Sequence, residues 1–149
     1  MDTVLILQGF LDEIGAAVMA EDWETYRSGI CLPCHITSQD ESKVVSTEAD
    51  LKAGFDQFCD TLRAQRVTDY VRVVQTAERL DETLISGKYV THLVSGSQRV
   101  LPPFQSQMTL RLVGNRWRAA SVTNALANSR WPLVRLAVHP DEDPKGPET

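Results

Sequence analysis

Cysteine, histidine and clustered positive charge are scarce in this 149-residue chain, and each shortage removes a class of function. Three cysteines, Cys31, Cys34 and Cys59, cannot pair off without a remainder, which fits a reducing compartment better than a disulfide framework. The Lys and Arg total of 15 against 20 Asp and Glu leaves a net charge of -5. Arg63, Arg66, Arg72, Arg111, Arg116 and Arg118 are scattered among acids, so there is no broad basic surface to neutralise nucleic-acid phosphates. No apolar run reaches the length of about 18 residues that a membrane-spanning helix needs. The opening MDTVLILQGFLDE does contain an apolar stretch. It has Asp2 where an export signal carries basic residues, and no small-residue cleavage pattern follows, so a cytoplasmic protein without membrane or nucleic-acid partners is expected.

What remains is an ordinary globular composition. At 42% hydrophobic residues the chain can bury a core without disulfides or metals. A single domain over residues 1–139 is expected, followed at 140–149 by the acidic, proline-rich PDEDPKGPET, a composition that favours disorder.

The apolar period divides the chain in two. Val4, Leu7, Leu11, Ile14 and Val18 recur at helical spacing over 3–19. Asp22 is placed to cap a short helix, WETYRS, that Gly29 stops. Two short strand-like runs follow at 30–39 and 43–46. Thr47 with Asp50 then opens a third helix, whose stripe is Leu51, Phe55, Phe58 and Leu62. Beyond Arg66 the period becomes two, giving strands over 67–76 and 84–94 and a hairpin over 104–126 turned at Gly114-Asn115. In that hairpin Met108, Leu110 and Leu112 alternate with Gln107, Thr109 and Arg111. The returning run alternates less cleanly, with Ala120, Val122 and Leu126 in one phase. Residues 133–138, after Trp131-Pro132, read as an extra strand or a surface segment.

This order, with DWETYRSGI after the first helix, STEADLKAGFDQF as the third and GNRWRAAS at the last turn, resembles the NTF2-like, or SnoaL-like, superfamily over about residues 3–126. The resemblance implies a cystatin-like α+β fold: three N-terminal helices packed on a strongly curved antiparallel sheet that forms a cone. It also implies a pocket inside the cone and homodimerisation through the sheet's outer face. The superfamily spans ketosteroid isomerases, polyketide cyclases, dehydratases, epoxide hydrolases, transport factors and association modules, so fold alone leaves function open. It further implies that Met108 stands where isomerase-like relatives carry an oxyanion-stabilising acid. Their base would fall near residues 37–40, where Asp40 sits in a polar turn.

Within the expected pocket three polar residues are candidates for chemistry. His92 shares a phase with Val90 and Val94, and a histidine in an apolar pocket can act as general acid or base near neutral pH. Tyr26, one turn beyond Trp23, and Asn124, in phase with Val122, are candidates to orient a carbonyl or hydroxyl. The plainer reading makes them a satisfied histidine, a packing tyrosine and a strand-edge amide. Ligand contacts are expected from Trp23, Phe55, Phe58, Val90, Met108, Leu110 and Val122. Cys31-Leu32-Pro33-Cys34-His35 spells a haem-attachment or redox string. It follows a helix and enters a strand, however, so no helix N-terminus would lower a thiol pKa, and no second Cys-x-x-Cys completes a zinc site. No metal or cofactor is expected. Three functions stay open: binding of a small, largely apolar molecule in the cone, a cofactor-free isomerase, cyclase or dehydratase, and a dimerisation or association module.

Overall fold

Asp2 begins the first helix by accepting the Val4 amide proton at 2.9 Å, which satisfies one of the unpaired donors of the first turn. The computed structural model describes residues 2–126. Helix α1 spans Thr3–Met19 and buries Leu7, Leu11, Ile14 and Val18, the stripe its spacing predicts without Val4. Helix α2, Trp23–Ser28, is capped by Asp22, and helix α3, Glu48–Ala64, by Thr47, which accepts the Asp50 amide proton at 3.1 Å.

The strands are β1 (Ile30–Thr37), β2 (Ser42–Val45), β3 (Asp69–Asp81), β4 (Leu84–Ser95), β5 (Gln98–Arg99), β6 (Phe104–Val113) and β7 (Arg116–Asn124). They form one curled, unclosed sheet in the order β2-β1-β7-β6-β4-β3, with β5 added beside β4. The sheet is mixed, which corrects the antiparallel expectation: β1 runs parallel to β7. A parallel neighbour requires a crossover long enough to bring the chain back to the same end, and here α3 and five strands intervene. Strand β3 also runs five residues past Thr76, to a tight turn at Glu82-Thr83. The segment 133–138, Trp131 and the tail 140–149 lie outside the described residues.

Two irregularities decide which side chains face the helices. Opposite Thr109 and Leu110, Ala120 is an extra residue in β7, so Ala119 pairs with Leu110 while Ser121 pairs with Thr109. The bulge explains the poor alternation of this run: Ala119 is buried in place of Ala120, whereas Val122 and Asn124 keep the inward phase. On β4, Gly87 lies directly beneath α1. A Cβ there would come within 2.2 Å of Leu7 Cδ2, so any larger residue would force the fully buried Leu7 side chain to move.

The core falls into two clusters on the inner face. Leu7, Leu11, Ile85 and Leu110 are fully enclosed where α1 crosses the sheet. Phe55, Phe58, Leu62 and Leu93 join α3 to the other end of β4. Each such side chain contributes on the order of 2 kcal/mol by leaving water. The two clusters do not meet completely, and the gap between them is the site.

Candidate functional site

The gap is a cavity of about 100 Å³ bounded by α1, α2, α3 and the inner faces of β1, β3, β4, β6 and β7. An apolar cavity of about 150 Å³ holds benzene, so this one suits a molecule of that size or smaller. Most of its wall is aliphatic or aromatic, from residues such as Ile14, Phe58, Leu93, Phe104, Met108 and Val122. Polar groups enter from a few strand positions.

Arg72 reaches in from β3 and is 7% exposed. One guanidinium N–H donates to the Leu11 carbonyl at 2.9 Å. The guanidinium carbon lies 4.6 Å from the centre of the Tyr70 ring and 5.9 Å from that of Tyr89. Gln8 of α1 holds the same stretch of strand in place: its amide donates to the Arg72 carbonyl at 2.7 Å, and its oxygen accepts from the Val74 amide at 2.9 Å.

Tyr89, on β4, is fully buried, and Arg72 and Ser106 both approach its hydroxyl. Burial pushes that hydroxyl up to about 12, with the neighbouring guanidinium pulling the other way. Tyr26 is half-buried and lines the cavity. Burial, reinforced by Cys34 and Tyr70, raises its hydroxyl well above the ordinary tyrosine value. Both phenols are therefore neutral donors at physiological pH. Ser106 donates to the Asn124 side-chain oxygen at 2.7 Å and lies 3.5 Å from the Thr91 hydroxyl. That bond leaves the amide nitrogen of Asn124 as the group available to a cavity occupant. Among the lining residues there is no Asp, Glu, His, Lys or Cys.

The sequence candidates are only partly brought together. Tyr26, Asn124, Phe58, Met108 and Val122 line the cavity. Trp23 and Phe55 stand behind Tyr26 in an aromatic stack, with the Phe55 ring 4.8 Å from Tyr26 and 5.4 Å from Trp23. Leu110 is sealed beneath α1, one layer from the void. His92 and Val90 require correction. The inward phase of β4 is Ile85, Gly87, Tyr89, Thr91 and Leu93, so both project from the outer face. There the His92 ring nitrogen Nδ1 sits 2.8 Å from the Arg99 guanidinium. Asp40 bonds with Ser38 at the β1–β2 turn and does not line the cavity.

Arg72, Tyr89 and Thr91 are the residues that pattern reading missed. Both phases of 84–94 are rich in apolar and aromatic side chains, so alternation alone does not choose between them. A lone arginine in a strand reads as solvent-facing unless the partner strands are known. In the Cys31–Cys34 string, Cys34 is buried and its thiol is pushed up to about 12 by that burial and by Cys31, the opposite of a reactive thiolate. Among the described residues no three His, Cys, Asp or Glu side chains are grouped to hold a metal, and no helix is long and apolar enough to cross a membrane.

No family model matches the chain, and no curated protein matches it by sequence. Solved structures do match by shape. An NTF2-like protein of unknown function from Shewanella oneidensis superposes with a TM-score of 0.60 at 11% identity, over 80% of this chain and 95% of that one. A protein of unknown function with a cystatin-like fold from Nostoc punctiforme gives 0.63 at 12% identity, over 84% and 91%. An NTF2-like protein from Cytophaga hutchinsonii gives 0.59 at 10% identity, over 85% and 100%. At such identities the likeness establishes the fold: this chain has the NTF2-like, cystatin-like α+β cone.

Proposed function

We propose that this protein binds a small, largely apolar molecule inside its cone. One observation carries the reading: the cavity wall combines apolar side chains with fixed hydroxyl, amide and guanidinium donors and has no group that exchanges protons near neutral pH. A general acid or base works best with a pKa close to the operating pH. Tyr89, at about 12, and Tyr26, higher still, are far from that range. Tyr26 and Asn124 then serve as orienting donors to a ligand, and the isomerase, cyclase or dehydratase alternative lacks its base. The association-module alternative calls for a filled interior, whereas Phe58 and Met108 leave about 100 Å³ open between them and the other walls.

The volume also bounds the affinity. A ligand of about six non-hydrogen atoms or fewer reaches dissociation constants of roughly micromolar to millimolar. A homodimer through the outer face fits the same architecture. Val71 and Val73 of β3 are 45% and 48% exposed, and Val73 lies beside the half-buried Val90 of β4. Three free thiols suit the cytoplasm.

Native mass spectrometry of the protein purified from its own host tests both points. The expected spectrum is a dimer carrying one small bound mass per protomer. A monomer without any retained or exchangeable small molecule contradicts the reading.

A further inference from the structure

We propose that the cone selects a small carboxylate, seating its anionic head on Arg72 and its apolar body against Phe58, Leu93, Phe104 and Met108. This rests on the binding reading above and names the class of ligand.

Arg72 is the one charged residue in the cavity wall, and among the described residues no carboxylate lies within ion-pair distance of it. A buried charge is ordinarily paired, because removing it from water is costly. The groups that do touch Arg72 are a helix carbonyl, at Leu11, and the faces of Tyr70 and Tyr89. They lower the cost of burial but bring no negative charge. A guanidinium has five N–H donors in a planar fork. One donates to Leu11, and the Tyr89 hydroxyl takes up another approach. The rest of the fork is available to whatever fills the void that Arg72 lines.

The surrounding polar groups agree on the sign of the occupant. Tyr26 is a neutral phenol able to donate, and Asn124 has its oxygen already engaged by Ser106, so its N–H₂ end remains. No acidic side chain in the wall repels an anion. A carboxylate matches a guanidinium fork in a bidentate, charge-assisted way. It is also compact enough to leave most of about 100 Å³ to a short branched or cyclic body. A phosphate dianion brings a second charge with no second cation in the wall to meet it.

The test is calorimetric titration of the full chain at neutral pH with isobutyrate and, separately, with isobutyramide, which has the same size and shape without the charge. Isobutyrate should bind at least about tenfold more tightly. Arg72→Met should lose that preference. Equal binding of the two probes, or a preference for the amide, overturns the carboxylate assignment and leaves the cone-binding reading intact. Binding of neither overturns the assignment too, and the host-purified mass spectrum then judges the broader reading by itself. Should Arg72→Met fold poorly, the wild-type comparison decides alone, with Arg72→Lys expected to retain part of the preference.

Discussion

Thr91 and His92 are neighbours on β4, yet they live in different solvents. Thr91 is 3% exposed and borders the cavity beside Tyr89, whereas His92 lies on the outer face beside Arg99. The inner surface of this sheet carries an arginine, phenols, hydroxyls and an amide in a dry enclosure, where each polar group must answer to a partner. The outer surface carries histidine, lysine, glutamine and valine in contact with water, where hydrogen bonds exchange freely and charges are screened. The residue with the more reactive side chain sits on the less consequential face. A side chain's chemistry thus says little about function until the strand phase has placed it.

Substitutions on the two faces of β4 should separate them clearly. Ile85→Ala empties a fully enclosed position against α1 and should cost about 2–5 kcal/mol in denaturant unfolding. Ser86→Ala, one residue on and half-buried on the other face, should stay within about 0.5 kcal/mol. Comparable losses at both positions would break the distinction.

A pH titration of stability sharpens it next. Folded Tyr89 keeps its proton until about pH 12, while an unfolded tyrosine releases it near pH 10. Stability is therefore full below about pH 10 and falls as pH rises toward 12, by on the order of 2–3 kcal/mol for this one group. Tyr89→Phe should remove this share of the alkaline decline and leave the share due to Tyr26, as followed by chemical denaturation at stepped pH.

Arg72→Met carries a smaller effect of unusual sign. Its helix-carbonyl partner, Leu11, lies within α1 and is not orphaned by losing the guanidinium, and the replacement keeps an apolar stem of similar length. Apo stability should hold or rise by about 1 kcal/mol, because a charge without a counter-ion has been removed from the interior. A loss of several kcal/mol would mean that the arginine is structural. His92→Ala should change least, with stability within about 0.5 kcal/mol of the wild type and unaltered affinity of the cone for any ligand.

The helices were legible in the sequence because their signals are local. Asp2, Asp22 and Thr47 cap where their side chains suggest, and the Leu7–Val18 and Leu51–Leu62 stripes face the sheet. The β6–β7 hairpin was legible for the same reason, with Gly114 at φ +63 supplying the turn. The parallel seating of β1 on β7 joins segments more than eighty residues apart and leaves no local mark. Part of the site was visible: Met108 lies in a strand where one phase is plainly the apolar one, and Asn124 shares its phase with Val122. Arg72 and Tyr89 were not, because their place depends on pairing across β3, β4 and β6. The bulge at Ala120 shifted the apparent phase of β7 by one residue at the very edge of the cavity.

Amide-resolved NMR of the full chain, titrated with isobutyrate, separates the two faces residue by residue. Resonances of the inward residues Arg72, Tyr89, Thr91 and Asn124 should move together along one saturable binding curve, while those of Val73 and Lys88 on the outer face stay in place. Saturable shifts confined to the outer face, or no saturable shift at all, would contradict binding inside the cone.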